Sequence, residues 1–371
     1  MNDDLTRFLC HNPKCLDFGK RDAKNLSVCD HYGPDKKRRM LYCSSCKARF
    51  SERKGTVFFD ARLSEEKATS VLEHIGEGWG VRKTGRLVRV NRTTVSRYSK
   101  LAGQHAQKAH DDLVAFSPRT REVQFDEKWS FVEKKEKHCD PDLPTDARCG
   151  DCWDHVGIDP EHRLVVSLAV GKRTSKQVRD LISDFKKRTQ DRMMNLITTD
   201  EYPVYETELL AAYGELIVPP RTGQRGRPAL PYLVPPANMN YAMVHKIREK
   251  SRVIAISYRV IFGTDASVAA ALKQSTASRA INTAFVERHN GTDRNRNGRK
   301  VRKTYCFSKD WEIHEAVSYF TICSYNFCWP VRTLRRRDSS GQWQPRTPAM
   351  AAGLADHVWP LHEWLSYPVV Q

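Results

Sequence analysis

No apolar run in the 371-residue chain approaches the roughly 18–20 residues needed to cross a bilayer, so a membrane protein is not expected. No internal repeat is visible either. The opening, Met1-Asn2-Asp3-Asp4, is acidic and lacks the basic, apolar, small-residue order of a secretory leader, which points to the cytosol. Disulfides are rare there, and the 11 cysteines are odd in number, so thiols or metal ligands are expected instead. Acid is short as well: 44 Asp and Glu stand against 62 Lys and Arg, a formal charge of +18. Such a field draws in polyanions, and nucleic acid is the leading partner. With 40% hydrophobic and 29% charged residues, the chain reads as globular, long enough for two or three units.

Three textures follow one another: a cysteine-bearing segment over 1–60, a basic helical segment over 61–115, and strands mixed with helices beyond. In the first, Cys10 and Cys15 form one pair and Cys43 and Cys46 a second, closer one. Such spacings let backbone turns aim four thiolates at a single Zn2+, whose binding free energy folds a segment too small for its own core. With no open coordination position implied, the zinc is structural. Cys29 and His31, lying between the pairs, are alternative ligands.

From Ser64 the pattern predicts three helices. Ser64 caps the first, with Glu65 and Glu66 in its first turn. A short helix covers Val81 to Val88, a turn falls at Val90-Asn91, and a third helix starts at Arg92. In that third helix Val95, Tyr98 and Leu101 or Ala102 share a core face, leaving Arg92, Thr93, Thr94, Arg97 and Lys100 outward. This is a helix-turn-helix pattern: the third helix would read the major groove while Arg82, Lys83, Arg86 and Arg89 meet phosphates. A plain basic hairpin of helices is the competing reading.

Strand alternation runs through Glu122 to Val132 with Asp126 at its centre, where a carboxylate needs a metal or a partner. Further strands are expected at Trp153–Asp159, Leu164–Val170, Met194–Thr198 and Glu215–Val218. Helices are expected over Thr174–Thr189, with Val178, Leu181, Ile182 and Phe185 inward, and through Tyr205, Leu209 and Tyr213. Three strands followed by strands alternating with helices is the order of an α/β, RNase H-like mixed sheet flanked by helices. There the first and fourth strands are neighbours, so Asp126 and Asp200 share an edge. Glu287, in NTAFVERHN, is the best third acid. Its rivals Glu127 and Glu201 each sit beside a proposed ligand, but alternation sends them to the other side. Three such acids repel without metal. Two Mg2+ (or Mn2+) ions about 3.5–4 Å apart would let them drive phosphoryl transfer on DNA.

The motifs YCSSCKARFS, TTVSRYSKLAG, FDEKWSFV, TTDEYPVY, FVERHNGTDRNRNGRKVRKTYCFSK and TPAMAAGLADHVW together resemble bacterial insertion-sequence transposases of the insertion sequence one group, in a longer variety. The likeness extends from about Cys10 to the C-terminus. It implies zinc and helix-turn-helix parts that bind terminal inverted repeats, and a Mg2+-dependent DDE triad falling on Asp126, Asp200 and Glu287, with His289 or Asn290 near the scissile region. Double-stranded DNA, as transposon ends and target, would be the partner of a homo-oligomer in the bacterial cytoplasm, associated with the nucleoid when bound. The catalytic domain is expected over 116–330, with insertions near 133–152 and 219–250, and a tail over 331–371 packed on it. The second insertion holds the Pro/Gly/Arg-rich run Val218–Pro236, which reads as a loop. The first carries His138, Cys139, Cys149 and Cys152, candidates for a second zinc. Arg335, Arg336 and Arg337 are a candidate DNA path. Two other functions fit the same features: a helix-turn-helix regulator without nuclease activity, and an RNase H-fold nuclease that only hydrolyses.

Overall fold

The computed structural model describes residues 4–115, 118–220, 229–250 and 252–370. It begins with strands β1 (Leu26–Tyr32), β2 (Arg38–Cys43) and β3 (Arg49–Ser51) and helices α1 (Glu65–Gly76), α2 (Val81–Val88) and α3 (Arg92–Leu113). Next come β4 (Glu122–Val132), β5 (Gly150–Asp159), β6 (Leu164–Gly171), α4 (Ser175–Arg188), β7 (Leu196–Thr199) and α5 (Val204–Tyr213). They are followed by β8 (Glu215–Ile217), β9 (Tyr232–Val234), β10 (Tyr241–Glu249), β11 (Arg252–Phe262), α6 (Asp265–Gln274) and α7 (Ala284–Arg296). The chain closes with α8 (Trp311–Cys328), β12 (Arg336–Arg337), β13 (Trp343–Gln344), α9 (Pro348–Ala351) and α10 (Leu361–Leu365). Among the described residues, no helix is long and apolar enough to cross a membrane.

The chain divides into two compact units, one of Met1–Leu113, Asn295–Pro330 and His357–Gln371, the other of Val114–Arg294 and Val331–Asp356. Residues 295–330, grouped by sequence with the strands, thus cluster with the N-terminal residues, and the tail is divided between the units. The reason lies in α8, which packs along α3 so closely that a Cβ on Gly103 would stand 2.3 Å from the Ala316 carbonyl oxygen. In the same unit β1, β2 and β3 form an antiparallel sheet in that order. The helices start and stop as the sequence indicates. Ser64 Oγ accepts the Lys67 amide at 3.3 Å, and Asn91 Oδ1 accepts the Thr93 amide at 2.9 Å. Between α2 and α3 the chain turns through Arg89, at φ 57°. Val95, Tyr98 and Ala102 are buried as their spacing requires.

The other unit is built on a six-stranded sheet of order β11-β10-β7-β4-β5-β6. β4, β5 and β6 are antiparallel, β4 runs parallel to β7 and β7 to β10, and β11 returns antiparallel at the edge. Three antiparallel strands with two parallel ones added beyond the first make an RNase H-like sheet, here extended by β11. As expected, β4 and β7 are neighbours, paired Glu122 with Leu196 and Gln124 with Thr198. The fifth strand is not where the sequence put it. Glu215–Ile217 is exposed and, among the described residues, pairs only with Tyr232–Val234, inside the run expected to be a loop. The fifth place belongs to β10, whose Tyr241, Ala242, Met243 and Val244 are buried, so the insertion expected near 219–250 contains a core strand. Residues 221–228 of the Pro/Gly/Arg-rich run lie outside the described residues.

The two faces of β4 meet different chemistry. Phe125 faces α4 and α5, edge-on to Phe185 at 5.3 Å and stacked on Tyr205 at 5.9 Å. Val178, Leu181, Ile182 and Phe185 supply the buried side of α4, as predicted. Gln124, Asp126 and Lys128 share the other face and meet successive turns of α7. Gln124 Oε1 accepts the Phe285 and Val286 amides at 3.0 and 3.1 Å, Asn290 Nδ2 donates to Asp126 Oδ2 at 2.8 Å, and Lys128 pairs with Asp293. Lys128 also pairs with Asp154 of β5 at 3.0 Å, and neither side chain has any solvent exposure. Removing one partner of such a buried pair strands the others in a poor dielectric. Lys128→Ala is therefore expected to lower the unfolding free energy by about 3–5 kcal/mol in urea denaturation. A loss within about 1 kcal/mol, the scale of an exposed pair, would show that the pairing carries no such weight.

Candidate active site

Extending the β4–β7 register by two residues past Gln124 and Thr198 puts Asp126 level with Asp200, just beyond the end of β7. Carboxylate oxygens of Asp126, Glu127 and Asp200 lie within 4.8 Å of one another. Glu127 does alternate to the α5 side, where Arg173 Nη2 donates to its Oε2 at 3.1 Å. Because β7 has ended here, β4 has a free edge at this level, and the longer Glu127 side chain reaches the same point. Burial, then Asp200 and Glu127, push the Asp126 carboxyl up to about 7. Burial and Asp200 push Glu127 to about 7 as well. Asp200 is raised by burial, with the Arg173 guanidinium the largest opposing influence. Three acids that hinder one another's ionisation are a donor set for a hard divalent cation such as Mg2+ or Mn2+.

Glu287 does not join this group. It lies in the first turn of α7, paired with Lys246, and accepts from Thr283 Oγ1 at 2.7 Å. Lys246, on β10, also donates to Thr283 Oγ1 at 3.0 Å. Burial lowers its pKa, opposed by Asp126 and Asp200, so its ammonium stands in the field of the acid edge. Sequence reasoning missed Lys246 and Arg173. The latter stacks over Tyr202 at 4.0 Å and Trp153 at 4.9 Å while it holds Glu127. Only the strand β10 could have pointed to Lys246. Asn290, named from the motif, is bonded to Asp126.

Cys10, Cys15, Cys43 and Cys46 come together within 4.8 Å. The sulfur separations of 3.6 Å for Cys10 and Cys46 and 3.8 Å for Cys15 and Cys43 match the edge of about 3.75 Å that a tetrahedron with Zn–S bonds of about 2.3 Å requires. Burial pushes the Cys10 thiol up. Burial acts the same way on Cys46, yet the Ala48 amide, Asn12 and the neighbouring sulfurs bring it down to about 6. The shell fits zinc. Cys29 is exposed and donates to the Met40 carbonyl, outside the cluster. The other proposed zinc set is not assembled: among the described residues, His138, Cys139, Cys149 and Cys152 form no such group. The knuckle spacing misled because Cys152 lies within β5, paired with Ser130 of β4, and so cannot share a turn with Cys149. Cys139 and Cys149 instead donate to the carbonyls of Lys135 and Thr145, each at 3.6 Å.

Of the basic residues singled out on α2 and α3, Arg82, Lys83, Arg86 and Arg92 line one cavity. Arg97 is exposed and Thr94 half-buried; Thr93 is exposed, its hydroxyl bonded to Asn91 Oδ1 at 2.9 Å. Lys100 departs from expectation, being paired with Glu312 of α8. Arg335 and Arg337 lie over the Trp343 ring, at 4.2 and 5.0 Å.

No protein-family model and no curated protein matches the chain. Among solved structures, it is similar to a Mos1 strand transfer complex, at 15% identity over 39% of this chain and 53% of that one, with a TM-score of 0.16. A pre-cleavage Mos1 transpososome matches at 14% identity over 41% and 58%, also with a TM-score of 0.16. A Mos1 mariner paired-end complex with Mn matches at 14% over 40% and 56%, again at 0.16. The chain thus spans little more than half the length of the structures it matches.

Two outcomes follow from the metal sites. A carboxyl raised to about 7 in the folded state, against about 4 unfolded, contributes stability that is present below pH 4 and lost as pH rises through 7. Metal-free protein should therefore melt lower at pH 8 than at pH 5.5, and Mg2+ or Mn2+ should raise the melting temperature more at pH 8. Asp126→Asn should shrink both effects; equal metal shifts at the two pH values would refute the coupling. For zinc, Cys43→Ser is expected to release the metal and expose the amides of residues 26–51 to hydrogen exchange, since a structural site contributes on the order of 10 kcal/mol to local folding. Unchanged metal content and protection would remove the assignment.

Proposed function

We propose that the chain is a DDE-type DNA transposase of the bacterial insertion-sequence kind, cutting DNA strands at transposon ends and joining them to a target. The observation that carries this reading is the acid edge of Asp126, Glu127 and Asp200, set where β4 and β7 lie level in an RNase H-like sheet. The chain's +18 charge and the motif resemblance to the insertion sequence one group support it.

In this reading Asp126 and Asp200 hold Mg2+ or Mn2+, with Glu287 as the third acid implied by the resemblance and Glu127 as the one favoured by distance. A bound divalent ion would polarise a phosphoryl oxygen and activate water or a 3′-hydroxyl. The protein's part is positioning. Asn290 fixes Asp126 Oδ2, and Arg173 clamps Glu127 against Tyr202. Lys246 is paired with Glu287, and a bound cation would compete with it for that carboxylate. The zinc-bound cysteines brace the N-terminal sheet. α2 and α3 act as a helix-turn-helix, with Arg82, Lys83, Arg86, Arg92, Thr93, Thr94 and Arg97 toward DNA, while Lys100 serves α8 instead. A homo-oligomer on double-stranded DNA, in the bacterial cytoplasm, completes the proposal.

Asp126→Asn and Asp200→Asn should each abolish Mg2+-dependent strand cleavage of the element's own ends while leaving end binding within about twofold, a change below the cost of one lost phosphate contact. Glu287→Gln should abolish cleavage as well. Full activity in that variant, with loss in Glu127→Gln, would move the third role to Glu127. Retained cleavage in both aspartate variants would end the nuclease reading.

A further inference from the structure

The basic loop of residues 297–310 has no part in the acid edge, yet with α2 and the start of α3 it walls a cavity of about 490 Å³. Six cations line it, Arg82, Lys83, Arg86, Arg92, Arg299 and Lys309, against one carboxylate, Asp310. Asp310 is already engaged as the cap of α8, its Oδ1 accepting the Ile313 amide at 2.8 Å. The wall closes because position 80 is glycine: a Cβ there would lie 2.9 Å from Cys306 Sγ.

Arg299 gives the cavity its chemistry. Its side chain is 8% exposed, and no carboxylate or hydrogen-bond acceptor of a described residue pairs with its guanidinium. Burial brings its pKa down to about 10, opposed by Cys306, so it keeps its proton at neutral pH. A buried guanidinium facing a cavity needs an anion, and its planar fork suits the two oxygens of a phosphate. Tyr305, which also lines the cavity, is fully exposed at 101%, a ring with both faces offered to solvent. Cations along a groove with an open aromatic beside them are the elements of single-strand recognition.

We propose that this cavity binds one nucleotide of an unpaired DNA strand, its phosphate on Arg299 and its base stacked on Tyr305. The inference rests on the DNA-processing function above and adds to it a contact that duplex DNA does not make.

Fluorescence anisotropy of the full zinc-loaded chain, with a labelled short oligothymidylate and a short duplex of arbitrary sequence, tests it. Tyr305→Ala should weaken oligothymidylate binding about 5- to 100-fold, the effect of losing one stacked base, and duplex binding by less than about twofold. Arg299→Gln should weaken oligothymidylate binding and take about one from its salt slope, and Arg299→Lys should recover part of the affinity. Tyr305 lies wholly in solvent, so its variant decides the matter even where Arg299→Gln fails to fold. Unchanged oligothymidylate affinity in Tyr305→Ala, or an equal loss on duplex, would overturn the proposal. Displacement of the oligonucleotide by low concentrations of thymidine monophosphate would also overturn it, marking a site for free nucleotides. A chain that cleaves with Mg2+ but shows these unchanged affinities loses only this inference; one that binds neither form of DNA loses the proposed function too.

Discussion

A central strand that carries Gln124, Asp126 and Lys128 on one buried face must give each a partner, because unpaired polar groups are costly away from water. α7 meets that demand turn by turn, through the Phe285 and Val286 amides, Asn290 and Asp293. The helix is thereby fixed along β4 in one register, and with it the place of every side chain it presents to the acid edge. The opposite face of β4 is anchored by ordinary packing of Phe125 against Phe185 and Tyr205. One strand thus joins an apolar layer that sets the fold to a polar layer that sets the chemistry.

The two candidate metal centres gather different donors. The cysteine cluster gathers four soft sulfurs at tetrahedral spacing, three of its cysteines buried and Cys46 half-buried, which suits a structural ion. The acid edge gathers three hard oxygens where a strand has run out of neighbours, leaving room for a substrate. At the acid edge the groups hinder ionisation, Asp200 raising both Asp126 and Glu127, whereas among the cysteines the neighbouring sulfurs help to lower the Cys46 thiol.

Much of this was legible in the sequence because period and burial agreed. The face of α4, the three helices from Ser64 and the pairing of the strands bearing Asp126 and Asp200 all follow from alternation and helical spacing. What was not legible depended on contacts distant in the chain. β10 has a buried run of only four residues before it turns polar, so it falls within the insertion expected near 219–250, and Lys246 with it. Alternation placed Glu127 on the correct face but could not show that the β7 side of β4 is open at that level, where a long side chain rounds the edge. Cys149 and Cys152 have knuckle spacing, which says nothing of a strand that begins between them. Lys100 has the periodicity of an outward residue, and only α8, more than two hundred residues on, reveals its partner Glu312.

The pairing of β4 with β7 has a consequence for the order of assembly. β4, β5 and β6 form a meander of near neighbours, whereas Glu122 must find Leu196 across the whole of β5, β6 and α4. Loop-closure entropy makes such long-range parallel contacts late and slow. Asp126 is in place once the meander forms, but Asp200 arrives beside it only when the crossover is complete. A chain still folding therefore holds Asp126 and Glu127 without Asp200, and the three-acid edge is complete only when the sheet is finished.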